Sequence, residues 1–419
     1  MTSVSLARHV LIVGGGIGGP SLAIALARRN IRSTIYEIRP FASNEGGALI
    51  ISPNALCVLD KILGMKDEVL NAGYQYDNIN IYSSDGQWLG AMVNGDKDNW
   101  GYRAVRVTRT ALHNRLLDQC HAMGGLVNIE YGKVCEKVEE GEHSVKVYFA
   151  DGTHGEGDIL IGADGIYSKV REQLLGPASP SPFYEGLVGL WATTPCSAIN
   201  IPPSMTLPAA IYTPPGLLLL FPIDPSGETI GWIAQRSSPE RSKEGWKVYE
   251  TSGDCVRATK ADYEGINYEP AKSLIASLED GQGKVWPPYS IPDIPTWHSK
   301  RICLIGDAAH AIPPSAGQGA SQAIEDAGLL ARLLAHEPAV EKGYESLFEY
   351  FEKTRRMRFQ SIRSLTRQSS ASRFELKGPV GWWFRKWSIW MFLRVLGSKG
   401  YYRDAKLMGY DITQEKIDF

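Results

Sequence analysis

Two glycine-bearing turns, nearly three hundred residues apart, constrain this chain more than any other feature. The first follows the run HVLIV at residues 9–13 and reads GGGIGG, with Gly14, Gly16 and Gly19 in G-x-G-x-x-G register. The second follows RICLIG, presents Asp307, and continues through PPSAGQGASQA. Val10 to Val13 contain no polar residue, as a central parallel strand buried on both faces requires. After such a strand Gly14 permits the tight turn, Gly16 lets backbone approach a pyrophosphate, and Gly19 permits close packing of helix on strand. Ala23, Ala25 and Ala27 keep the next helix slim. Its N-terminal end carries the partial positive charge that favours phosphate.

A second strand over residues 33–36 ends at Glu37, 18 residues beyond Gly19. An acid at that spacing accepts hydrogen bonds from a ribose diol and repels a 2′-phosphate, which favours FAD or NAD over NADP. The second turn separates those two. Asp307 lies just past the carboxyl end of an apolar strand, where open α/β sheets hold ligands, placed for a ribityl or ribose hydroxyl. Gly317 and Gly319 open a helix whose N-terminus favours negative charge, such as a reduced flavin carries on its pyrimidine side. A nicotinamide dehydrogenase needs only the first turn, whereas a chain folded around a whole FAD uses both. A third element, IGADGIYSKVR, ends a strand at Asp164-Gly165. There Asp164 is placed to meet the first glycine helix and the cofactor phosphates, and Arg171 to attract a phosphate; the plainer alternative is an ordinary turn.

At 419 residues, 43% hydrophobic and 21% charged, the chain suits two intimately connected globular domains. Its net charge of −2, without a basic stripe, gives no electrostatic case for nucleic acid. Six cysteines are scattered singly, without metal-site or disulfide-framework spacing, which fits a reducing interior. The first strand begins within ten residues, leaving no room for a targeting leader, so a cytoplasmic location is expected. Residues 379–397, PVGWWFRKWSIWMFLRVLG, crowd Trp382, Trp383, Trp387 and Trp390 around Arg385, Lys386 and Arg394. Those cations make a poor membrane span. A helix lying on a membrane surface is one reading, and a C-terminal helix capping the core or a ligand cavity is the preferred one.

Residues 1–177 and 301–335 read as one discontinuous nucleotide-binding domain, with a short β insertion near 74–107 turning at Asp85-Gly86. Residues 178–300 are richer in proline and in short strands, with turns at Pro214-Pro215-Gly216 and Ser226-Gly227. They read as an inserted, largely antiparallel sheet that covers substrate. Residues 336–419 read as a mainly helical C-terminal region.

With GGGIGG and Glu37, Asp164-Gly165 and Gly306-Asp307 in order, residues 8 to about 335 resemble the single-component FAD-dependent aromatic hydroxylases, the para-hydroxybenzoate and salicylate hydroxylase-like group. The tail YRDAKLMGYDI resembles fungal members from secondary metabolism. The resemblance implies an α/β fold: a Rossmann-like FAD-binding domain, an inserted mixed or antiparallel β-sheet substrate domain, and a helical C-terminal region. It implies an NAD(P)H-dependent monooxygenase that uses O2 and a flavin hydroperoxide to hydroxylate or epoxidise an electron-rich small molecule. By position, Glu37 would bind the adenosine ribose, Val134 would touch the adenine through its backbone, and Arg109 would lie near the phosphates. Ala48 would lie against the cofactor, Asp307 at the ribityl–phosphate region, and Gly317, Gly319 and Ala320 along the flavin ring. Pro314 would stand at the ring face where oxygen reacts, and Tyr212 would face substrate. Two departures stand out. Trp191-Ala192-Thr193 replaces a frequent Trp-Arg-Gly and so lacks a substrate-activating arginine, and Ser321 replaces a frequent asparagine. The rival readings are an FAD-dependent reductase or halogenase, although the W-x-W-x-I stretch of halogenases is absent, and a non-catalytic flavin-binding protein docked on a membrane.

Overall fold

The computed structural model describes residues 9–41, 46–280, 282–313, 317–371, 378–395 and 407–418. Its centre is a five-stranded parallel sheet in the order Ile302–Leu304, Ile159–Gly162, His9–Val13, Arg32–Glu37, Val127–Tyr131. The chain runs outward from His9–Val13 in one direction to Arg32–Glu37 and later fills the other side with Ile159–Gly162. The switch in direction therefore falls at the first strand, where the carboxyl ends of neighbouring strands leave a crevice. Both faces of His9–Val13, Ile159–Gly162 and Ile302–Leu304 are covered, which is why their sequences run apolar without alternation. Helix Gly18–Ala27 is buried along its whole length. Helix Gly319–Leu334 packs across it so closely that a Cβ added at Gly18 would lie 3.5 Å from the Ala323 Cβ.

A mixed seven-stranded sheet forms the second layer, in the order Lys284–Trp286, Leu187–Pro195, Thr229–Ser237, Leu217–Pro222, Ala209–Tyr212, Asn78–Ser83, Trp88–Val93. Its pairings are antiparallel except that Ala209–Tyr212 runs parallel to Asn78–Ser83. Of the strands read from sequence as an insertion near 74–107, Asn78–Ser83 and Trp88–Val93 thus complete the sheet begun far downstream, while Tyr74–Tyr76 and Ala104–Thr108 form a separate antiparallel sheet with Ala48–Ile51.

Side chains of this sheet alternate between two environments. One face sends Leu218, Leu220, Ala192 and Trp232 into a cluster with helices Lys243–Thr251, Asp254–Tyr263 and Ala271–Ala276. Those three helices were not foreseen within 178–300, where the sequence reading had only a sheet. They are short and weakly patterned, and they form because the sheet offers an apolar face to cover. The opposite face presents Trp191, Leu217, Leu219, Phe221 and Ile233, which pack toward Ala48 and toward Ile389, Trp390 and Leu393 of helix Pro379–Val395. The tryptophan-rich helix therefore caps this face with one side, while Trp383, Phe384, Trp387 and Met391 on its other side stay exposed. Among the described residues, no helix is long and apolar enough to cross a membrane. All six cysteines are free.

Candidate functional site

The first glycine turn is built by close approach. Gly14 adopts φ +112°, its N–H donates to the Tyr36 carbonyl at 2.8 Å, and a Cβ there would overlap the Ala163 carbonyl. Gly19 presses in turn on the Gly14 carbonyl. Gly16 differs, because a Cβ there would meet nothing nearer than the Arg109 Nη2, at 3.9 Å. Gly14 is glycine for the fold, and Gly16 keeps a space open. Beside them Glu37 is buried, accepts from the Gly15 N–H at 2.7 Å, and accepts from Arg39 through backbone and guanidinium.

The second turn is held from beneath by a residue that sequence reasoning missed. Asp326, on helix Gly319–Leu334, accepts from the Gly306 N–H at 2.8 Å, from His310 Nε2 at 2.7 Å and from Arg355 Nε at 2.6 Å. Burial pushes the Asp326 carboxyl up, but His310 and Arg355 more than offset this and hold it well below the usual carboxylate range. His310 thereby serves the turn. Arg171, read from sequence as a phosphate attractor, is instead buried and donates to the carbonyls of Ala308 and Ile166. It ties the Asp164 and Asp307 turns together.

The two turns converge. A Cβ at Gly319 would lie 4.0 Å from Asp307 Oδ1, while Gly317, at φ +62°, rests on the Ile50 side chain. Asp307 and Arg109 face each other without joining in an ion pair, and both are open by surface area. Enclosure by protein nevertheless disfavours both charges. Burial raises the Asp307 carboxyl against the pull of His310 and Arg109, and lowers the Arg109 guanidinium against that of Asp307. Groups accessible and enclosed at once line a cleft rather than an outer surface. Glu37 holds Gly15, the Gly16 Cβ position faces Arg109, Arg109 feels Asp307, and Asp307 faces Gly319, so these groups succeed one another along the cleft. The N-terminal turns of helices Gly18–Ala27 and Gly319–Leu334 have neither a side-chain cap nor an acid. Their backbone N–H groups are thus available to a ligand. An elongated molecule with hydroxyls at one end and phosphates at its middle matches that order of groups.

The remaining sequence candidates fall around this line. Val134 lies at the Glu37 end, exposed, its carbonyl accepting from the Ala150 N–H while the adjacent Lys133 N–H donates to the Glu37 carbonyl. Asp164 backs the Gly14 turn through its main chain, but its carboxylate is taken by the Ser168 hydroxyl and the N–H groups of Lys169 and Val170, starting helix Lys169–Leu175. Ala48 packs against the Trp191–Phe221 cluster. Tyr212 lies on the same sheet face, with Leu219 between, close enough to Arg385 of the capping helix to influence its charge. Ala192 is turned to the opposite face, so the departure noted there does not touch this cleft. Ser321 accepts from the Ser52 N–H and binds the strand Ala48–Ile51 to the second turn. Pro314 lies outside the described residues.

Residues 7–366 match the family described as FAD binding domain. The chain is 31% identical over 343 residues to the 3-amino-4-hydroxybenzoate 2-monooxygenase PtmB3 of Streptomyces platensis, covering 80% of this chain and 81% of that one. It is 27% identical to the 6-hydroxynicotinate 3-monooxygenase of Bordetella bronchiseptica, over 86% and 91% of the two chains. Among solved structures, Klebsiella pneumoniae HpxO complexed with FAD and uric acid superposes with a TM-score of 0.77 at 22% identity, over 94% of this chain and 96% of that one.

Proposed function

The chain belongs to the FAD binding domain family and is an FAD-dependent monooxygenase, and on that premise we propose how its residues divide the work and what class of molecule it oxidises. FAD, when bound, supplies the redox chemistry, passing electrons from NADPH or NADH to O2 and one oxygen atom to the substrate. The observation that supports its placement is the cleft with two uncapped helix N-termini, Glu37 at one end and Asp307 toward the other.

Glu37 accepts from the adenosine ribose, and Val134 offers backbone to the adenine. Gly14, Gly16 and Gly19 form the pyrophosphate turn, Arg109 neutralises the phosphates, and Asp164 buttresses the turn from behind. Asp307 takes a ribityl hydroxyl; Gly317, Gly319 and Ala320 line the flavin, with Ala48 and Pro314 at its faces. Residues 1–177 with 301–335 form the FAD-binding domain, 178–300 the substrate domain together with strands 78–93, and 336–419 the region that closes both. The enzyme works in the cytoplasm on an electron-rich aromatic molecule held on the Trp191–Phe221 face. There Tyr212 orients the substrate and the capping helix excludes water.

Two outcomes test this reading. Purified protein mixed with NADPH and aromatic substrates under 18O2 is expected to consume oxygen faster with substrate and to place one labelled atom in the product. Oxygen consumption that yields only peroxide across the panel overturns hydroxylation. Asp307→Ala removes one charge-assisted hydrogen bond, worth about 1.5–3 kcal/mol, so FAD is expected to bind roughly 10- to 100-fold more weakly. Fluorescence titration of the apoprotein measures it, and unchanged affinity removes Asp307 from the site.

A further inference from the structure

Among the described residues, one buried guanidinium lacks the polar partners that the others have. Buried Arg171 donates to two carbonyls, Arg355 is saturated by Asp326, Glu325 and Gln322, and Arg236 pairs with Asp262. The Arg106 side chain, only 8% exposed, makes no hydrogen bond or ion pair among the described residues, and its Nε is buried without a partner. Its guanidinium carbon sits 3.5 Å from the centre of the Phe221 ring. The neighbour whose charge would act on it is Tyr76, whose phenol burial pushes up to about 12, so it stays neutral and supplies no counter-charge. An unpaired guanidinium held out of water is costly, and burial already lowers this one to about 10.

The position explains the arrangement. Arg106 pairs in register with Ile50 on strand Ala48–Ile51, and directly opposed residues of an antiparallel pair project to the same face. Ile50 touches Gly317, and Ala48 packs beside Trp191 and Phe221. Trp191 is stacked on Phe221 with ring centres 5.6 Å apart, and its indole lies 3.7 Å from where a Cβ at Gly47 would be. A desolvated cation, two stacked aromatic rings and the second glycine turn therefore meet at one place. Nothing in the FAD assignment uses Arg106.

We infer that Arg106 is the receptor for a negative charge on the substrate, which is an aromatic carboxylate resting against the Trp191–Phe221 wall. The inference rests on the proposed function and names the substrate class of that same site. The cation comes from a strand of the first half of the chain, on the face that Ala192 does not reach.

The test uses the FAD-loaded enzyme and Arg106→Met, with Arg106→Lys as the conservative partner. The probes are salicylate, 4-hydroxybenzoate and 6-hydroxynicotinate, each against its methyl ester, read by the perturbation of the flavin spectrum and by substrate-stimulated NADPH oxidation. The wild type is expected to prefer at least one acid over its ester by about tenfold or more. Arg106→Met is expected to lose that preference by roughly 10- to 100-fold, with ester binding and FAD content unchanged, and Arg106→Lys to keep part of it. Because the methionine removes an uncompensated buried charge, its thermal midpoint is expected to hold or rise, where a merely structural arginine would give a fall. The inference is overturned if the wild type shows no preference for any acid, or if Arg106→Met binds the acids as the wild type does. A wild type that fails to retain flavin would instead sink the FAD assignment.

Discussion

Arg355→Met is expected to destabilise the protein by about 3–5 kcal/mol at neutral pH, because it leaves two carboxylates buried without their cation. Arg355 is fully buried, and its Nη1 donates to Glu325 Oε2 at 2.5 Å while its Nε donates to Asp326 Oδ1 at 2.6 Å. Glu325 also meets Arg358 and the Asn54 amide, so several elements lose their anchor together. Burial pushes both carboxyls up, and the surrounding cations hold both below their ordinary values. In the wild type that contribution is therefore present above the unfolded carboxylate pKa of about 4 and is lost as pH falls toward the depressed native values. In the variant the carboxyls favour their protonated forms, so its deficit should grow as pH rises from about 4 to 7. Urea unfolding of both proteins at pH 5 and pH 7 measures this. A deficit of equal size at both values would show that lost packing, not stranded charge, is responsible.

Gly16→Leu is expected to give a folded, colourless protein. The structure has room for a Cβ, since only Arg109 Nη2 approaches that position. That room is where the pyrophosphate is proposed to lie. Filling a close-packed contact costs about 1–3 kcal/mol or more, so FAD affinity should fall roughly 5- to 150-fold or beyond. Gly14→Ala is the contrasting control, because its methyl would collide with the Ala163 carbonyl and its φ of +112° disfavours any side chain. Thermal midpoints of the apoproteins and flavin absorbance after desalting separate the two. Retention of flavin by Gly16→Leu would place the phosphates elsewhere.

What the sequence disclosed follows from how locally each feature is encoded. The two glycine turns were legible because strand, turn and helix are adjacent in sequence and the chemistry demands small residues at fixed spacing. The start of helix Arg109–Ala122 is encoded just as locally, since Thr108 accepts from the Ala111 N–H within the same few residues. Arg106 was not, because RAVRVTRT reads as an ordinary strand and nothing local says that its counter-charge is missing. Arg171 was misjudged for the same reason, as a sequence does not distinguish a guanidinium spent on carbonyls from one facing solvent. The Asp326–Arg355 pair had one faint signal: two adjacent acids, Glu325 and Asp326, within a helix otherwise made largely of Ala, Gly and Leu. Alternation along LWATT would have placed Ala192 opposite to Trp191, had the buried face been known.

The parallel pairing of Ala209–Tyr212 with Asn78–Ser83 bears on how such proteins exchange parts. Residues 178–300 are contiguous in the gene but not a transplantable cassette, for a graft of that block alone would set its Ala210 and Ile211 against foreign partners in place of Ile81 and Tyr82. Shuffling between relatives must carry residues 78–93 along, and the unit that recombines safely is therefore defined in space rather than along the chain.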